Sequence, residues 1–238
     1  MESGNLPSQD FPDIADIYDR HAALTADSSE LGGSLVVYAG LDRSGIELAS
    51  AANVASAASL GLESDVARAK AAIRSGACDF LVNTLDEALR ILKNEIRKKN
   101  PVAVALVGHP PGLVAEMVER GVQPEVVEGA VPGMEVLEAR GARRLGAAPD
   151  WGVAVSWSVE REPARWLPAV DRLAVETLDP SQPSTTARRR WIEGAPRYLG
   201  RALAGQRYVR MSEGEADAFA EAVRKGGVGV PVTVLRRR

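Results

Sequence analysis

A short polar turn between two glycines is the first place in this sequence where the residue types suggest binding chemistry. It lies in LVVYAGLDRSGIELASAA, Leu35 to Ala52, where an apolar run ends at Gly40 and an alanine-rich run follows Gly45. Glycine lets backbone approach a pyrophosphate closely, and the start of the next helix offers free N–H groups and a positive dipole end. The turn therefore fits a nucleotide phosphate. Any doubly wound domain has glycines here, however, and the usual triple-glycine pattern is missing.

An acidic residue stands where a dinucleotide site would need one. In such sites the carboxylate that accepts the ribose hydroxyls lies about twenty residues after the glycine turn, at the end of the second strand. Glu63 occupies that position. The alternative interpretation, a solvated carboxylate at the start of a helix, stays open.

The two histidines and the single cysteine add little further chemistry. His109 follows the fourth predicted strand, at the sheet edge where doubly wound folds bind ligands. It is a candidate general base near neutral pH, or else a loop residue that contacts the next helix. Neither His21 nor His109 shares a cluster with cysteine or carboxylates at metal-ligand spacing, so we expect no metal site. Cys78 begins a predicted strand and is expected to be a buried, unreactive thiol.

Alternating strands and helices position these residues. The pattern predicts strands at 35–38, 59–62, 79–82, 102–107 and from 126, and helices at 46–59, 64–75, from the TLDE capping box at 84, and 111–120. Alternation at this spacing indicates right-handed βαβ units. The predicted fold is α/β, a doubly wound, mainly parallel Rossmann-like sheet with a smaller C-terminal α/β portion.

The pattern also divides the chain into three predicted parts. Residues 1–32 are an N-terminal flank with one short helix, residues 33–145 the Rossmann-like domain, and residues 146–238 the C-terminal portion. After about Gly129 the pattern loosens into a connector.

The C-terminal portion has its own predicted elements. They are a strand at 153–157, a helix at about 186–204, a helix from the SEGE capping box at 212 to about 225, and a closing strand in VGVPVTVL. The tryptophans Trp151, Trp157, Trp166 and Trp191 are expected to pack in the core or at an interface. The arginines at 140–144, 188–190 and 236–238 are interpreted as solvated helix faces and a tail.

Composition limits the class of partner. The net charge is -3, so we expect no nucleic-acid partner, and no run of apolar residues is long enough to span a membrane. One cysteine rules out an internal disulfide and fits a reducing compartment. The polar start MESGNLPSQD does not resemble a signal peptide. The expected location is the cytoplasm.

Four blocks of the sequence resemble the urocanase (urocanate hydratase) family. They are AGLDRSGIE from Ala39, ESDVAR from Glu63, DFLVNTLDEALRIL from Asp79 and LVGHPPGLVAEMVERGVQPEVV from Leu106. In order and spacing they are similar to the inserted NAD-binding domain of that family. RWIEGAPRYLG, GQRYVRM and AFAEAVRKGGVGVPVTVLRRR are similar to the C-terminal part of its core.

The resemblance implies a cofactor and its contacts. Urocanases bind NAD tightly and use its oxidised nicotinamide as an electrophile toward urocanate. The resemblance places the pyrophosphate against Gly40, Asp42, Arg43, Ser44 and Gly45. It places the adenosine ribose on Glu63, with Arg68 nearby, and Gly108 at the next loop.

The sequence also departs from the family. The turn has fewer glycines and gains the negative charge of Asp42. The family's polar D-Q-T-S-A-H is replaced by EGAVPGM, Glu128 to Met134. No segment here matches the one with the family's catalytic cysteine, and Cys78 is not its counterpart.

Two functions follow as hypotheses. In the first, the chain binds NAD and acts as a hydratase or related lyase on a conjugated, heteroaromatic-type acid, though not on urocanate, with contacts from Tyr38, Arg43 and His109. In the second, it is a non-catalytic relative that binds a nucleotide or a protein partner. We expect a small-molecule substrate in the first case, and a homodimer or a partner protein in either.

Overall fold

The computed structural model describes residues 13–203, 205–226 and 228–237. The helices are α1 Ile14–Leu24, α2 Arg43–Val54, α3 Val66–Ser75, α4 Leu85–Lys98, α5 Pro110–Glu119, α6 Met134–Ala139, α7 Pro163–Thr177, α8 Thr185–Tyr198, α9 Gly200–Leu203 and α10 Glu213–Lys225. The strands are β1 Leu35–Ala39, β2 Ala58–Glu63, β3 Phe80–Val82, β4 Val102–Val107, β5 Val126–Glu128, β6 Arg143–Arg144, β7 Val153–Val159, β8 Gln206–Met211 and β9 Val232–Arg237.

The larger sheet is parallel throughout and confirms the predicted fold class. Its six strands lie in the order β3-β4-β2-β1-β5-β6. β1, β2 and β4 form its centre and are almost entirely buried, because helices cover both faces. The order reverses at β1, whose neighbours are β2 on one side and β5 on the other. In open α/β sheets this reversal forms a crevice at the carboxyl ends of the strands.

Several helix starts differ from the sequence prediction. The α2 helix begins at Arg43 rather than near Ile46, because Asp42 caps it. Asp65, not Ser64, caps α3. The predicted capping box at Thr84 is only half formed: its hydroxyl accepts from the Glu87 N–H, but the Glu87 carboxylate accepts from the Asn83 N–H.

A smaller antiparallel sheet follows, with β7 between β8 and β9. Its buried face packs on α7 and α10, where the rings of Trp157 and Phe219 lie 5.0 Å apart. The sequence analysis missed α6, α7 and the short strand β6, and it predicted one helix at about 186–204 where the structure has α8 and α9. Pro163 is the first residue of α7, where proline is compatible with the helix, and Pro168 lies inside it, where packing tolerates a kink.

The predicted N-terminal helix is confirmed, and it joins the two sheets. α1 packs on α2, on β8 and on α8. Tyr18 is its central contact, with its ring centroid 5.2 Å from that of Trp191 and 5.3 Å from that of Tyr208. Both rings are edge-on to Tyr18, a favourable aromatic arrangement.

One of the arginine runs was misread. Arg188 is buried rather than solvated, and its guanidinium binds both carboxylate oxygens of Glu215, at 2.6 and 3.0 Å. Glu215 also completes the predicted capping box with Ser212. A buried guanidinium needs a fully bonded carboxylate, and this one is supplied from the first turn of α10.

In the part of the chain that the structure describes, no helix is both long and apolar enough to cross a membrane. No group of three or more metal-ligating side chains lies close together among the same residues.

Candidate functional site

The carboxyl edge of the larger sheet brings together most of the predicted site residues. The turn from Gly40 to Gly45 follows β1. Glu63 ends the neighbouring β2, and the Gly108 N–H, just after β4, donates to the Glu63 carbonyl at 2.9 Å. Glu128 ends β5 on the other side of β1. The predicted residues therefore line one continuous edge at the point where the strand order reverses.

The turn after β1 is closed tightly on itself. Gly40 has a φ of 91°, and its carbonyl oxygen would lie 2.1 Å from a Cβ atom placed on Gly45. Gly45 is therefore required by the close approach of two backbone segments. Its N–H, one of the free donors of a helix start, donates to the carboxylate of Asp42 at 3.1 Å. The chain's own anion thus occupies a position that a phosphate would need.

Glu63 is fully engaged within the chain. It is 3% exposed, and its two oxygens accept from the N–H groups of Leu41 and Asp65, each at 2.8 Å. These bonds fasten the loop after β1 to the loop after β2. The sequence located this carboxylate correctly, but in the structure it holds backbone together.

The α1 helix reaches over the start of α2. Arg20 forms an ion pair with Glu128, and its second nitrogen lies 2.5 Å from the Ser44 hydroxyl. Arg43 pairs with Asp16 of α1 at 2.7 Å and with Glu47 at 2.8 Å. Burial raises the pKa of Glu47, and Arg43 opposes that shift. These contacts connect α1 to both sides of the crevice.

Sequence analysis missed Asp16 and Arg20. A signal for them existed: they are four residues apart in a predicted helix, and Glu128 ends the strand next to the glycine turn. What the sequence did not give was the direction in which α1 crosses the sheet.

The remaining predicted residues lie at the margin of the crevice. Arg68 is on α3 with its side chain 59% exposed and 3.8 Å from Asp65. His109 is exposed at the start of α5 and makes no capping hydrogen bond with its side chain. Within the described residues it has no polar partner that would orient it as a general base.

Two buried groups lie beneath the turn. Tyr38 is buried on β1, and burial raises the pKa of its hydroxyl. Cys78 is a free, buried thiol, as predicted, and burial raises its pKa to about 12. Neither group is poised to act as a nucleophile near neutral pH.

The parallel sheet, the glycine turn and the crevice at the strand reversal define a Rossmann-like domain of the dinucleotide-binding type. Comparison with known families matches residues 15–132 to the urocanase Rossmann-like domain. The match covers just under half of the chain, includes most of α1, and is consistent with a divergent, partial urocanase-family homologue. In that family this domain is the NAD-binding region.

The residues that line the crevice are poorly arranged to hold NAD in this structure. The Gly45 N–H is already bonded to Asp42, and both Glu63 oxygens are bonded to backbone. Arg20 and Arg43, the guanidinium groups beside the turn, are paired with carboxylates. A dinucleotide would have to displace these bonds before it could bind.

Proposed function

We propose that this chain is a non-catalytic urocanase relative that serves as a partner-binding module. The observation that carries the proposal is the internal bonding of the crevice, where Asp42 and Glu63 use their carboxylates on the chain's own N–H groups. An enzyme that depends on bound NAD would keep these groups available to the cofactor. Here they stabilise two loops and one helix.

The proposed partner is a second copy of the chain, which would add to the small sheet at β9. Among the described strands, β9 pairs only with β7, so its outer edge presents unpaired N–H and C=O groups. Leu235 on this strand is 54% exposed. The other outer strand, β8, packs against α1 and α8. An isologous contact between two β9 strands would cover the edge and the leucine together.

Native mass spectrometry of the freshly purified protein tests both parts of the proposal. We expect a species of twice 25.3 kDa without bound NAD. In a subsequent titration, NAD should bind with a Kd weaker than about 1 mM, on the order of a non-specific contact. A monomer would contradict the proposed self-association.

Two variants make the titration decisive. Asp42→Gly removes the competing carboxylate and should strengthen NAD binding, whereas Asp65→Gly, which removes the cap of the neighbouring α3, should not. Bound NAD in the wild-type protein, weakened by Glu63→Ala, would overturn the proposal that the crevice no longer serves as a cofactor site.

That outcome would support a second candidate function, an NAD-dependent hydratase or lyase acting on a conjugated acid other than urocanate. Arg20 and Arg43 favour it, because two guanidinium groups at a helix start can exchange carboxylates for phosphate. His109 would then be the candidate proton carrier. A cytoplasmic location remains part of either proposal.

A further inference from the structure

A cavity of about 360 Å³ lies between α7 and α8 in the C-terminal part, and it shares no lining residue with the crevice. Its walls are apolar and come from Pro168 and Val175 of α7 and from Ile192 and Pro196 of α8. The volume is at the lower end of the range for small-molecule sites in proteins. The cavity belongs to no part of the proposed function above.

A buried ion pair lines the cavity. The Arg207 Nε–H donates to Asp171 at 2.9 Å, and the Trp157 indole N–H donates to the same carboxylate at 2.9 Å. The side chains of Arg207 and Asp171 are 8% and 13% exposed. Burial raises the pKa of Asp171, and Arg207 opposes the rise. The carboxylate is thus held in place from two sides while it lines the cavity.

Two prolines line the cavity, one on each of its helices. Proline has no N–H, so Pro196 cannot donate to the carbonyl of Ile192, and Pro168 cannot donate to that of Ala164. Each carbonyl loses its helical partner four residues ahead. Ile192 itself lines the cavity. Two prolines in facing helices thus leave acceptors, not donors, to be satisfied.

The charged rim is also acceptor-rich. Glu176 and Glu193 line the cavity, and within the described residues neither has a basic group in ion-pair distance. Arg172 is the other charged rim residue, and Arg207 is committed to Asp171. Three carboxylates around apolar walls match a ligand with an apolar body and a positively charged N–H donor.

We propose that this cavity binds a small organic cation, with its apolar body between the two proline-bearing helices and its ammonium group directed to Asp171, Glu176 and Glu193. An anion of the same shape would face three carboxylates. A neutral analogue would leave the acceptors without a donor.

The test is a titration of the full chain with 2-phenylethylammonium, followed by two-dimensional NMR of the tryptophan indole N–H groups. Trp157→Phe assigns one of the four indole signals. Because this N–H donates to Asp171, the ligand should shift the Trp157 signal and leave that of Trp191 unchanged. A Kd on the order of 1 mM or tighter is expected for a ligand of this size.

The control variants decide whether charge recognition is responsible. Glu176→Gln with Glu193→Gln should weaken binding roughly fivefold to tenfold, since exposed ion pairs are individually weak. Glu160→Gln, on an exposed carboxylate outside the cavity, should leave it unchanged. Far-UV circular dichroism confirms that each variant is folded. No shift with the amine, an equal shift with phenylacetate, or equal affinity in the double variant would overturn the proposal.

Discussion

His21 shows how one residue can make the stability of this protein depend on pH. It is 0% exposed, lies against Trp191, and neither ring nitrogen has a hydrogen-bond partner among the described residues. Burial, and then the charge of Arg190, lowers its pKa to about 3. The folded chain therefore keeps His21 neutral at a pH where the unfolded chain has already taken up a proton.

We expect this mismatch to weaken the fold as the pH falls. A group whose pKa is depressed in the folded state costs stability below its unfolded pKa, near 6.5 for histidine. Between pH 7.5 and 5.5 the free energy of unfolding should drop by about 1.4 kcal/mol on account of His21. Urea unfolding at both pH values should show that drop in the wild type and lose it in His21→Phe. His109→Gln, at the other histidine, is the control, and an unchanged drop in His21→Phe would refute the assignment.

At the scale of single residues, sequence predicted the places of the candidate residues in the fold but not the groups they bond to. Gly40, Gly45 and Glu63 lie on the expected edge, because strand ends in a parallel sheet follow from the apolar runs. The partners of Asp42 and Glu63 depend on loop closure to within an ångström. The spacing of residues along the sequence does not determine these hydrogen-bond partners.

Among the elements, the β1–α2 turn is the one whose geometry allows a sharp prediction. Gly45→Ala should destabilise the chain by about 2 to 3 kcal/mol, because its Cβ would lie 2.1 Å from the Gly40 carbonyl oxygen and the backbone must move apart. Gly214→Ala, also in a first helical turn, has open space around it and should be neutral or stabilising by about 0.5 kcal/mol. Chemical denaturation of both variants measures the difference. Equal effects would show that the turn is not tightly closed.

The elements that sequence found and those it missed differ for a physical reason. Five strands of the larger sheet were predicted because each is an apolar run. α7 was missed because Pro168 breaks the pattern, while its buried residues Leu167, Val170 and Ala174 still pack on β7. Tertiary burial outweighed a local preference there, as it often does for marginal helices.

In the molecule as a whole, one hydrophobic core extends across the predicted boundary between residues 145 and 146. It includes Val36 and Leu48 of the Rossmann-like part together with Trp157, Trp191 and Val209 of the C-terminal part. α1 lies between them, and Asp19 and Glu30 pair with Arg210 and Arg190 at 3.3 and 2.9 Å. A shared core couples the stability of the Rossmann-like part to that of the C-terminal part.

We therefore expect the chain to unfold in one transition. All four tryptophans lie between residues 151 and 191, so their fluorescence reports the C-terminal part, whereas far-UV circular dichroism reports helices of both parts. The two signals should give the same urea midpoint.

The substitution Tyr18→Ala removes the aromatic ring that packs between α1 and the C-terminal part. It should lower both midpoints together and reduce the free energy of unfolding by about 3 to 5 kcal/mol. Asp27→Ala, exposed at the end of the same segment, is the control. A fluorescence transition separate from that of circular dichroism would mean that the predicted boundary divides two independently stable domains. The coupling through α1 would then be too weak to matter.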